Sequence, residues 1–162
     1  MLNRTYDGQV CSIARTLEVL GERWTLLIVR DALLGLRRFD EFQHSLGIAR
    51  NVLTDRLKRL VDAGVLERVE YQRRPPRFEY RLTAVGLELC TPVVGLMHWG
   101  DRHLAGPDGP PRLTRHQSCG GQLHAQLLCE QCGEAVSGTE LDLPPGPGLR
   151  AHPVAAGKYP AQ

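Results

Sequence analysis

The run "HQSCGGQLHAQLLCEQCGE" (residues 116–134) gathers the side chains of this sequence best suited to holding a soft metal ion. Cys129-x-x-Cys132-Gly133 has the shape of a zinc knuckle, and His116-x-x-Cys119-Gly120 repeats the spacing thirteen residues earlier. Three thiolates and an imidazole make a closed, tetrahedral zinc site of structural type. His124 competes for the fourth position but breaks the repeat. A Cys129–Cys132 redox pair and reduced thiols without a ligand are the other readings. The H-x-E…P-C-x-x-C arrangement of zinc deaminases is absent, because Ala125 and Gln126 follow His124 and Leu128 precedes Cys129. Neither a Gly-rich phosphate loop nor a Ser/His/Asp signature occurs, so no enzymatic activity is expected.

A second group suits phosphate. In "YQRRPPRFEY" the guanidinium groups of Arg73, Arg74 and Arg77 flank a Pro-Pro pair. Arginine presents a planar fork of donors that matches phosphate and guanine edges better than lysine does. Residues 50–81 carry nine basic and five acidic groups, a local excess of four on a chain whose net charge is only +2. A local basic face points to a polyanion where overall charge does not.

These groups need elements to carry them. Val65 to Tyr71 alternates as a half-buried strand, and "RFEYRLT" reads as its partner. "QRRPP" is then the tip of a hairpin, stiffened by the fixed φ of proline. Upstream, Asp40 can cap a short helix, "DEFQHSL", that stops at Gly47. The next segment ends at Gly64 and places Leu53, Leu57, Leu60 and Val61 on one face. Its opposite face carries Arg50, Asn51, Thr54, Asp55 and Lys58. Two helices around a tight turn, followed by a rigid hairpin, make a winged helix-turn-helix. Such a second helix enters the major groove, and a wing reaches phosphate or the minor groove. Asn pairs with adenine, Arg with guanine, and Thr with a thymine methyl; Asp55 either accepts from cytosine or orients a neighbouring arginine. Arg37 and Arg38, ahead of the first helix of the pair, suit phosphate contact.

Ile13, Leu17 and Leu20 mark an opening helix over 12–21. "RWTLLIVRDALLG" is apolar almost all round and reads as a central, buried helix. After Thr83, a long helix to residue 104 should kink at Pro92. Its stripe of Leu87, Cys90, Val94, Met97 and Leu104 needs cover from a second copy of the chain or from the opening helix, with Cys90 a packed apolar residue on it.

The expected fold class is mainly α with a small β-wing, a dimeric winged helix-turn-helix with a small C-terminal zinc-ribbon-like appendage. Its parts are a DNA-binding and dimerisation domain over 1–104, a Pro/Gly linker over 105–111, the appendage over 112–142 and a flexible tail over 143–162. No run of about 18 apolar residues exists, and the first residues lack the apolar core of a signal peptide. A cytoplasmic protein with reduced thiols is expected.

Residues up to about 104 resemble the HxlR-type winged-helix transcriptional regulators. The likeness lies in "CSIARTLEVLGERWTLLIVRDALLGLRRFDEF", "LTDRLKRLVDAGVLERVEYQRRPPRFEYRLT" and "WGDRH". It implies a homodimer, built from the first and last helices, that binds double-stranded operator DNA and controls transcription, as a repressor in the reading adopted. It also singles out Cys11, since several relatives use a thiol there as a switch; a helix N-terminus favours thiolate chemistry. The expected signal is an oxidant at Cys11 or a small molecule in an interhelical pocket. The reading of another class is a protein-interaction adaptor that uses the winged helix and ribbon as binding surfaces.

Overall fold

The computed structural model describes residues 5, 6 and 9–150. Helix α1 (Ser12–Leu20) buries only Ala14 and Leu20, and leaves Ile13 and Leu17 exposed. Helix α2 (Thr25–Leu33) lies at the centre as its composition predicts. Its Ile28 and Val29 are fully buried, and so is Asp31, whose carboxylate takes two bonds from the Arg30 guanidinium at 2.9 and 2.7 Å.

Helix α3 (Phe39–Leu46) begins one residue before Asp40, which is not its cap. Glu41 takes that role: its Oε2 accepts the amides of Arg37 and Arg38, each at 2.9 Å. One carboxylate thereby satisfies two amides that the helix start leaves orphaned. These two bonds, Arg37's first, hold the Glu41 carboxyl below the usual carboxylate range. At the other end Gly47 adopts φ +61, a left-handed conformation that glycine enters without Cβ strain. The chain reverses there into α4 (Arg50–Asp62), which buries Leu53, Leu57 and Leu60. With Phe42, Leu46, Ile48, Leu66 and Val93 they form one core. Burial of each such side chain contributes about 1.5–3 kcal/mol.

The wing follows as β1 (Leu66–Arg73) and β2 (Pro76–Leu82), antiparallel from Leu66↔Leu82 to Arg73↔Pro76, with a bulge at Tyr71. The turn is Arg74–Pro75, a cis peptide. The extended segment before α3 joins this sheet, since Arg38 bridges Glu79 and the Tyr80 amide donates to the Arg37 carbonyl at 2.7 Å. Thr83 closes the unit. Its hydroxyl donates to the Gly64 carbonyl at 2.6 Å and accepts the Gly86 amide at 3.0 Å. Gly86 packs so tightly that a Cβ would stand 2.1 Å from the Val65 carbonyl oxygen.

The long helix expected after Thr83 is two helices, α5 (Ala84–Glu88) and α6 (Cys90–His103), broken at Leu89 rather than kinked at Pro92. Proline lacks the amide that would bond the Glu88 carbonyl one turn back, so the ladder parts before it. Only Val93 of α6 is buried, with Met97 packed against the core. Leu87, Leu96, Trp99 and Leu104 are exposed, and Cys90, expected to be packed, is exposed as well. Among the described residues no helix is long and apolar enough to cross a membrane.

Beyond the linker lie two small hairpins. The second contains β3 (Leu127–Leu128) and β4 (Ala135–Val136). The stretch expected as a flexible tail, 143–162, includes a helical turn, α7 (Pro147–Arg150), and residues 151–162 lie outside the described residues.

Candidate nucleic-acid interface

The outward face of α4 carries the expected side chains in different states of readiness. Asn51 is exposed and has no hydrogen-bond partner among the described residues. Thr54 turns its hydroxyl back to the Arg50 carbonyl at 2.8 Å. Asp55 is engaged by Arg56 and, at 3.2 Å, by Arg59, so it orients arginines; Lys58 pairs with Asp62 one turn on. Such exposed pairs are worth about 0–1 kcal/mol and yield readily to a competing phosphate. Arg50 lies over the Phe39 ring, 4.6 Å from its centroid, with Asp40 at 3.7 Å. The start of α3 thus stores the guanidinium beside the face it would serve.

The wing-tip guanidinium groups of Arg73, Arg74 and Arg77 are exposed and unpaired among the described residues. Between wing and helix pair runs a cleft of about 560 Å³ that includes Arg38, Arg50 and Arg77 with Tyr71 and Phe78. Arg38 stands over the Tyr71 ring at 5.0 Å and reaches Glu79 at 3.9 Å, which ties it to the wing. Arg37 engages the wing through its backbone and leaves its side chain exposed. Sequence reasoning passed over Arg68, whose guanidinium lies 3.5 Å from the Phe78 ring centroid, and Tyr71, held outward at the bulge. Strand alternation alone places Arg68 on a solvent face; nothing in the sequence announces the bulge.

Cys11 is the N-cap of α1 and half-buried. The C-terminal donors come together in pairs. His116 Nδ1 lies 3.2 Å from Cys119 Sγ. The amides of Cys132 and Gln131 point at the Cys129 sulfur, and together with the Cys132 thiol they lower its pKa. His124 lies instead against His98 of α6, ring centroids 6.3 Å apart. Among the described residues no three His, Cys, Asp or Glu side chains stand together as metal ligands.

A helix pair with a tight turn, a polar second helix and an arginine-tipped wing define a winged-helix DNA-binding protein. Known proteins bear this out. Residues 19–107 match the family model described as "HxlR-like helix-turn-helix", and the chain belongs to that family. It is 45% identical over 150 residues to the uncharacterised HTH-type transcriptional regulator Rv3095 of Mycobacterium tuberculosis, covering 93% of this chain and 94% of that protein. The crystal structure of PA1607, assigned as a candidate transcription factor, superposes with a TM-score of 0.76 at 34% identity, over 85% of this chain and 96% of that one. Both matches extend past the winged helix into the appendage. The redox regulator HypR in its reduced form is 31% identical with a TM-score of 0.54, over 57% of this chain and 92% of its own. The chain is therefore a transcriptional regulator of helix-turn-helix type and not an enzyme.

Proposed function

We propose that the protein acts as a homodimeric, sequence-specific repressor, with α4 reading bases in the major groove and the wing arginines gripping the backbone. The observation that carries this reading is the unpaired Asn51 on the α4 face together with three unpaired arginines at the wing tip, where Arg50 of α4 and Arg77 of the wing line one cleft. Arg37 and Arg38 add phosphate contacts, and Arg50 swings from Phe39 to the DNA. The exposed face of α4 offers no apolar anchors, which disfavours an adaptor role. Dimerisation uses the apolar side chains left open on α1, Ile13 and Leu17, and on α6, Leu96 and Trp99, with Leu104 just beyond it. Two copies then face half-sites about one helical turn, roughly 34–36 Å, apart or a multiple of it.

Control acts through Cys11 at the start of α1, in keeping with the description of HypR as a redox regulator. The competing signal is a small molecule in the cavity of about 360 Å³ between α2, α6 and the linker, lined by Leu33, Cys90, Val93, Met97 and Leu113. A genome-wide map of bound DNA, followed by band shifts on the recovered operator, tests both parts. A recurrent two-fold motif is expected, with affinity that oxidant changes in the wild type and not in Cys11→Ser. Random occupancy refutes specific reading, and an unchanged oxidant response in Cys11→Ser refutes the thiol switch.

A further inference from the structure

The two C-terminal hairpins are one design used twice. In the first, the His116 amide donates to the Gly121 carbonyl at 2.8 Å, and the Gly120 amide to the His116 carbonyl at 2.8 Å. In the second, the Cys129 amide donates to the Glu134 carbonyl at 2.9 Å, and the Gly133 amide to the Cys129 carbonyl at 2.8 Å. Each bond maps onto its counterpart by the same thirteen-residue step. So do the ladder pairs Arg115↔Gln122 and Leu128↔Ala135, and the left-handed glycines Gly120 (φ +71) and Gly133 (φ +74). Each loop therefore offers two donors from its first and fourth residues, His116 with Cys119 and Cys129 with Cys132.

The unit built from these loops lacks the usual source of stability. No described residue from 105 to 149 is buried, and Leu113, Leu123, Leu127, Leu128 and Leu141 are all exposed. So small a piece without a core ordinarily needs a metal or a disulfide, and all its cysteines are free. We infer that the two hairpins close on a single structural zinc ion held by His116 and Cys119 from the first and Cys129 and Cys132 from the second.

The donor set is soft thiolate with imidazole, which selects zinc over magnesium or calcium. Each thiol releases its proton to solvent on ligation, and the imidazole binds neutral. The two pairs sit on exposed hairpins with no buried side chain between them, so closing them on one ion displaces no packed core. His124 faces His98 of α6, ring centroids 6.3 Å apart, and lies outside the repeat, whereas His116 stands beside Cys119 and is the fourth donor of this set. The site uses no residue of α4 or the wing, so this inference is independent of the proposed function.

Elemental analysis of the reduced, full-length protein purified without chelator should find a single zinc per chain. Cobalt(II) in place of zinc should give the thiolate charge-transfer and intense visible bands of a tetrahedral site. Cys119→Ser, Cys132→Ser and His116→Ala should each lose the metal while far-UV circular dichroism shows the winged helix still folded. A metal-free reduced protein with no cobalt charge-transfer band overturns the inference, as does a Cys129–Cys132 disulfide in protein from a reducing cell. Full zinc content in His116→Ala or Cys119→Ser overturns the ligand set.

Discussion

His98 on α6 and Thr114 at the start of the first hairpin meet through Nε2 and Oγ1 at 2.9 Å. The other ring nitrogen, Nδ1, accepts the Ala125 amide at 3.5 Å. With Nδ1 accepting, the hydrogen-bond network assigns the proton to Nε2 and the role of acceptor to Thr114. The threonine hydroxyl then donates to the Leu123 carbonyl at 3.4 Å. One imidazole thus fastens both edges of the hairpin to the last long helix.

His98→Ala should release that fastening. Limited proteolysis across 105–126 should accelerate several-fold, and denaturant unfolding of the winged helix should shift by no more than about 1 kcal/mol, the net worth of a hydrogen bond. A protection pattern identical to wild type would remove His98 from this role.

Glu41→Gln should destabilise the fold by roughly 0.3–1 kcal/mol, since the amide oxygen still accepts and only the screened charge at the helix start is lost. The Glu41 carboxyl is depressed by the amides of Arg37 and Arg38. Its contribution is therefore complete above the ordinary carboxylate pKa of about 4.3 and is lost as pH falls through the lower folded value. Wild type and Glu41→Gln should accordingly converge in stability in acid, as measured by urea titration at a series of pH values.

Replacing Arg73, Arg74 and Arg77 together by Ala should weaken binding to every DNA sequence. It should also reduce the slope of log affinity against log salt by up to about 0.9 for each phosphate that the wing no longer neutralises. Titration by fluorescence anisotropy across salt concentrations reads both effects.

Asn51→Ala should behave differently. Removing a bidentate bond to a base costs about 1–3 kcal/mol at one operator position and little on nonspecific DNA. Selection of bound sequences from a random pool should show that position relaxed and the rest retained.

Leu96→Glu and Trp99→Glu should yield monomers by sedimentation, with operator affinity reduced at least tenfold. Both side chains are exposed in the single chain, so a charge there leaves the core intact. Val94 is a poorer test, because it is half-buried against the cavity beside α2.

The winged helix was legible because its signals are local. Gly47 and Gly64 punctuate the helices, Leu53, Leu57 and Leu60 repeat at helical spacing, and the Pro-Pro pair marks the hairpin tip. The misses arose where geometry decides between near-equal options. Asp40 and Glu41 are both good first-turn acids, and only the reach of Glu41 to two amides selects it. Pro92 announces an interruption, but its missing amide acts one turn earlier, at Leu89. On the reading face, the sequence names Asp55 and Lys58 yet cannot show that neighbours already engage them. The spacing of four donors in the appendage was plain. The matching of the two hairpins bond by bond emerged only from the backbone.

Thr83 ties three segments at one hydroxyl: the exit of α4 through Gly64, the root of the wing, and the start of α5 through Gly86. With the Gly86 backbone pressed on Val65, no slack remains at that joint. Reading helix, wing and α5 therefore share one tight joint, and a side chain introduced at residue 86 should loosen all three at once.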